Sequence, residues 1–169
     1  MLPRLAEAAW ARIAAAPGAP LRSLGAPQSA LVGAIADTII PRTETPGATD
    51  VGIQAFVDII VTENYSDEER ATFLAGLDAI SAYAKAPASP NVAFALVPPS
   101  EREERVRDIE SLTDRRVEPA RTYWRLKGLV VHGYFTSERV MKDVLHVEVR
   151  PGRFDGAAPM PVRHAGSHE

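Results

Sequence analysis

The chain contains no cysteine. That excludes a disulfide framework, a thiolate-ligated zinc or iron–sulfur centre, and a thiol nucleophile. Basic residues are not in excess either: 19 Lys and Arg stand against 22 Asp and Glu, for a formal charge of -3. A broad nucleic-acid surface, which needs surplus cations to displace phosphate counterions, is therefore not expected. Aromatic residues are sparse at 7%. No uncharged apolar run approaches the roughly 20 residues of a membrane helix. What is present is ordinary for a soluble globular chain: 169 residues, 46% hydrophobic and 24% charged, enough for one domain with a core.

Met1 to Pro20 is Ala-rich, but Glu7 and Arg12 interrupt any apolar centre, and no Arg-Arg pair precedes an apolar run. It reads as a short peripheral amphipathic helix or a loosely docked arm ended by Pro17-Gly18, not as a sorting signal. As it stands, the sequence points to a cytoplasmic protein. A periplasmic location is the alternative if a signal was trimmed or the partner is exported.

The body is helical with proline punctuation. Leu31, Ile35 and Ile39 are four apart in the first stripe, which Pro41 ends. A turn-rich loop, Pro41 to Gly52, leads to a second stripe of Ile53, Phe56, Val57 and Ile60. Ser66 and Glu69 form a capping box before the stripe of Phe73, Leu77 and Ile80. Ser100 and Glu103 suggest another box ahead of a charged surface helix with Val106, Ile109 and Leu112 on one line. Pro119 can open the next helix, where Tyr123, Leu126, Val130 and Gly133–Tyr134 share a face. Thr136 or Ser137 caps a last short helix. The expected fold class is mainly α: a single irregular helical domain over 28–145, an arm over 1–27, and an extended Pro/Gly-rich C-terminal docking segment over 146–169.

The familiar chemical motifs are missing: no Gly-rich nucleotide loop, no nucleophile elbow, no H-E-x-x-H. His164 and His168 are four apart in an Ala-Gly-Ser tail, a setting that favours a plain chain end over a metal site. His146 and Glu148 lack a third ligand. His132 reads as a hydrogen-bonded residue near a helix end. The carboxylates Glu101 to Glu110 interleave with Arg102, Arg105 and Arg107, which reads as a solvated i,i+4 lattice rather than an acid/base pair.

Three ordered segments carry a resemblance. The first is Asp37-Thr38-Ile39-Ile40-Pro41-Arg42-Thr43-Glu44-Thr45-Pro46-Gly47-Ala48 with Gly52-Ile53 and Phe56-Val57-Asp58. The middle one is Tyr65 to Arg70 before Phe73. The distal one is Leu126-Lys127, Gly133 to Glu138 and Pro151-Gly152-Arg153-Phe154-Asp155-Gly156. Together they resemble the gluconate 2-dehydrogenase subunit 3 family. The resemblance implies a non-catalytic small subunit, without a cofactor or metal of its own. It implies a large partner flavoprotein of the glucose–methanol–choline type, with FAD, that oxidises a sugar, sugar acid or polyol. A cytochrome c subunit is a further implied partner, and a chaperone-like role in maturation or export is implied as well. The expected partner contacts are Tyr134, Phe135 and Pro151, Gly152, Arg153, Phe154, Asp155 and Gly156. For Tyr134 and Phe135, burial in the chain's own core and exposure at an interface both stay open. The alternative function is a free-standing small-molecule enzyme or binding domain with His132, Glu138 and Asp155 in a cleft.

Overall fold

The computed structural model describes residues 2–83 and 93–147. Among them are seven α-helices, two short 3-10 turns and no strand. This agrees with the expected mainly α class. The segment 148–169 of the expected tail lies outside the described residues.

Helix α1 spans Leu2–Ala15, α2 Ala26–Ile39, α3 Ile53–Asn64 and α4 Asp67–Tyr83. They are followed by α5 at Pro99–Ser111, α6 at Ala120–Thr136 and α7 at Glu138–Asp143. Each start has a local cause. The Gly25 N–H donates to Gln28 Oε1 (3.2 Å), and Pro27 in the first turn sets φ for α2. At α4 the Ser66 box forms both ways: the Ser66 N–H donates to Glu69 Oε2 (2.9 Å) and the Glu69 N–H to Ser66 Oγ (3.2 Å). Ser137, not Thr136, caps α7, accepting from the Val140 N–H at 3.4 Å. The expected Ser100 box does not form, because α5 starts two residues earlier, at Pro99 behind Pro98. Pro99 has no N–H to cap and its fixed φ suits a first helical position.

Helices α3 and α6 cross at the centre, where Ile53, Phe56, Val57, Tyr123, Leu126 and Val130 are fully buried. Fully burying one such side chain contributes roughly 1.5–3 kcal/mol. Gly133 makes the crossing possible: a Cβ there would lie 2.6 Å from Ile53 and Phe56 side-chain atoms. Helix α4 packs on α6 through Gly76, which leaves room for Thr122. Helix α5 lies outside α2, and only Arg105, Val106 and Ile109 on it are buried.

The first helix is more firmly held than its stripe suggests. Ala6 and Ala9 are buried, and Trp10 stacks on Phe56 with centroids 5.0 Å apart. Trp10 also donates its indole N–H to Thr136 Oγ1 (3.2 Å) on α6. The connection that follows is pinned by Asp58 on α3, which is 2% exposed. Its carboxylate accepts from the backbone N–H groups of Arg22 (2.9 Å), Ser23 (2.8 Å) and Leu24 (2.8 Å). No described helix is long and apolar enough to cross a membrane.

Candidate functional site

Among the described residues, the loop between α2 and α3 is heavily bonded through side chains. Asp37, in the last turn of α2, accepts from both the N–H (3.0 Å) and the hydroxyl (2.8 Å) of Thr49. Across the loop, Arg42 grips Asp50 with two donors, one at 2.7 Å from Nε. The same carboxylate accepts from the Gly47 N–H at 2.8 Å. Those bonds, Arg42's first and Gly47's next, hold the Asp50 carboxyl below its ordinary value against the burial that opposes them. Gly47 is required by space, since a Cβ would stand 2.9 Å from the Arg42 backbone nitrogen. Gly52 takes φ 79, a left-handed turn that joins the 3-10 turn Thr49–Val51 to α3.

Two distal residues clamp this loop. Tyr134 donates its hydroxyl to the Pro46 carbonyl (2.7 Å), and Arg139 Nη1 donates to the Asp50 carbonyl (3.2 Å). A cleft of about 280 Å³ opens beside it, with Asp37, Arg42, Asp50, Arg102 and Glu103 in its wall. Arg42 and Asp50 close on each other there as an ion pair, whereas Arg102 brings a buried Nε that has no hydrogen-bond partner among the described residues.

A second cluster lies where α5 meets α6. Glu110 accepts from the Tyr123 hydroxyl (2.5 Å) and from Lys127 Nζ (2.6 Å) at one oxygen. Burial works against the charged Glu110, but the bonds from Lys127 and Tyr123 outweigh it and its carboxyl falls below the ordinary value. Burial first, and then Glu110, push the Tyr123 phenol well up, so it stays a neutral donor. The charged lattice expected on α5 is therefore only partly solvated. Glu101 pairs with Arg105 and Glu103 with Arg107, but Arg105 is buried and Glu110 turns inward across the helix pair. Local spacing showed the charges; it held no signal for a partner 17 residues away.

A sequence model of gluconate 2-dehydrogenase subunit 3 matches residues 26–153. The chain belongs to this family. No curated protein and no solved structure matches it. The subunit 3 match spans α2 to α7 and contains the whole clamped loop, while α1 lies before it. The family is that of a small subunit of a dehydrogenase complex.

The expected contact residues of this subunit 3 chain fall into distinct settings. Tyr134 is 4% exposed and committed to Pro46, whereas Phe135 beside it is 48% exposed. The side-by-side aromatics thus part, one into the core and one onto the surface. Pro151, Gly152, Arg153, Phe154, Asp155 and Gly156 lie outside the described residues, as do Glu148, His164 and His168. Of the alternative set, Glu138 pairs with Lys142 at the start of α7, and His132 lies within α6. Its third member, Asp155, is outside the described residues. A shallow cavity of about 410 Å³ between α1 and α7 includes Trp10, Glu138 and Lys142 in its lining, and His132 is not part of it. Among the described residues no three His, Asp or Glu side chains converge as a metal site would need.

Sequence reading missed Asp58 as an anchor and Gly47, Gly76 and Gly133 as close-approach sites. Asp58 and Gly133 were visible as motif members, but their partners are distant in sequence.

Proposed function

We propose that this chain is the non-catalytic small subunit of an FAD-dependent dehydrogenase, binding and stabilising a large flavoprotein of the glucose–methanol–choline type. That partner would hold the FAD and oxidise a sugar, sugar acid or polyol; a cytochrome c subunit would take the electrons. The observation that carries the reading is the family match over residues 26–153. The geometry supports it in one respect. Asp37, Arg42, Gly47 and Tyr134, which carry the family resemblance, are bonded to Thr49, Asp50 or the loop backbone. Such residues stiffen a surface rather than await a substrate. A surface held this way loses little conformational entropy when a partner lands on it. Help with maturation or export of the flavoprotein is part of the same proposal, and Pro151 to Gly156 would join the contact.

Co-expression with the large flavoprotein subunit followed by size exclusion tests this. A single complex burying more than about 2,000 Å² is expected, as permanent complexes do, with flavin absorbance that follows the large subunit. Two separate peaks at micromolar concentration, with full dehydrogenase activity in the large subunit alone, would refute it. Flavin retained by the isolated small chain after desalting would refute the cofactor-free part.

A further inference from the structure

Helix α6 has a second face. Tyr123, Leu126, Val130, Gly133 and Tyr134 point into the core. The opposite side carries Trp124, Gly128, Val131 and Phe135, spaced four, three and four residues apart. That is the spacing of a helix-packing seam. Val131 is 36% and Phe135 48% exposed. Gly128 is exposed in mid-helix, where glycine is unfavourable relative to alanine. Gly33, Gly76 and Gly133 have a reason inside the molecule, since a Cβ on any of them would press on Gln54, Thr122 or Phe56. At Gly128 nothing lies within 4 Å of where a Cβ would stand. Among the described residues nothing gives this glycine a packing role.

The charges that α6 itself brings to the border of the seam are cationic. Helix α6 contains Arg121, Arg125, Lys127 and no carboxylate. Arg121 and Lys127 are offset by Glu118 and Glu110. Arg125 lies over the Tyr65 ring at 5.4 Å, and Arg115 covers Trp124 at 3.7 Å, contacts that leave their charge in place. Glu69 also acts on Arg125, and Glu110 on Arg115, so four cations meet three carboxylates and the border keeps a small positive excess. Two copies of this face would bring cations onto cations, which disfavours self-association here.

We propose that the Trp124–Phe135 seam of α6 receives a helix of the large dehydrogenase subunit, one with an apolar stripe bordered by Asp and Glu. Gly128 lets the two helix axes approach closely, Val131 and Phe135 fill the partner's grooves, and the cationic border selects an acidic flank. This inference rests on the subunit reading above and names the face that reading uses.

The test uses the full chain with the flavoprotein subunit, by melting and by binding kinetics. Gly128→Ala in the isolated chain raises the melting temperature by about 2–4 °C, because alanine is the better helix former and meets open space. The same variant weakens binding to the flavoprotein about tenfold or more by crowding the crossing. Phe135→Asp weakens it at least as much, beyond the modest drop in melting temperature expected from losing the edge contact with Tyr134. Association slows several-fold between about 50 and 500 mM salt. Wild-type affinity in both variants, with the wild-type complex intact, overturns the seam and leaves the subunit reading standing. A flavoprotein that never binds the wild-type chain overturns both. A self-association that Phe135→Asp abolishes overturns the assignment in favour of a second copy.

Discussion

Asp58→Ala removes the acceptor for three backbone donors at once. Asp58 is 2% exposed, and no other hydrogen bond to the N–H groups of Arg22, Ser23 or Leu24 is seen among the described residues. An unsatisfied buried donor costs about 1–3 kcal/mol. The three do not add in full. Arg22 and Ser23 are partly exposed and can turn to water, whereas Leu24 is in the core and its N–H cannot. The expected loss is therefore on the order of 3–4 kcal/mol, a large part of a typical folding free energy. For a chain of this size that is a fall of roughly 10 °C in melting temperature. Asp58→Asn separates the bonds. Its one oxygen can still take the Ser23 and Leu24 donors, which share Oδ1, but its amide then faces the Arg22 N–H that used Oδ2. It should lose about half as much. Thermal melts and urea titrations of the three proteins measure this, with limited proteolysis reporting on 16–25. An Asp58→Ala melt within about 2 °C of wild type, or an Asn variant worse than the Ala one, would refute the reasoning.

Further outcomes follow from the same geometry. Gly133→Ala sets a methyl 2.6 Å from Phe56 and should destabilise by about 1–3 kcal/mol in urea titrations, opposite in sign to Gly128→Ala. Tyr134→Phe removes the bond to Pro46 and should cost about 1 kcal/mol, with faster amide exchange in the Pro41 to Gly52 loop as its local mark. Glu110 titrates lower when folded than its ordinary 4.5, so its contribution is complete above that value and is lost as pH falls through the lower folded one. The stability gap between wild type and Glu110→Gln should narrow from pH 6 toward pH 3; a gap that stays constant would count against the cluster. Tyr123 titrates higher when folded, so stability should fall as pH rises above its ordinary 10.0, and Tyr123→Phe should blunt that alkaline decline.

The helices were legible because their information is local. The stripes over Leu31 to Ile39, Ile53 to Ile60, Phe73 to Ile80 and Tyr123 to Tyr134 each became a buried face, since periodicity and burial share one cause. The Ser66–Glu69 box was legible for the same reason, its two residues being three apart. What the sequence hid is what links elements. Asp58 looked like one more acid on a helix because its donors lie 34 to 36 residues earlier. Glu110 looked solvated because its partners sit on another helix. Alanine carries almost no amphipathic signal, so the docking of Ala6 and Ala9 could not be weighed from the arm alone. Tyr134 and Phe135 are adjacent, and only the direction of α6 decides which of them is covered.

The clamp on the motif loop also sets an order of events during synthesis. Pro46 waits for Tyr134, 88 residues later, and Trp10 waits for Thr136, 126 residues later. At about 5–20 residues per second the first wait lasts roughly 4–18 s. Through that interval Ile53 and Phe56 have no Gly133 to pack against, so α1 to α4 leave the ribosome with an open apolar face. Native packing is postponed until α6 emerges and closes the molecule in one late step. A nascent chain halted with α6 still inside the exit tunnel should therefore hold chaperones, and one from which α6 and α7 have fully emerged should release them.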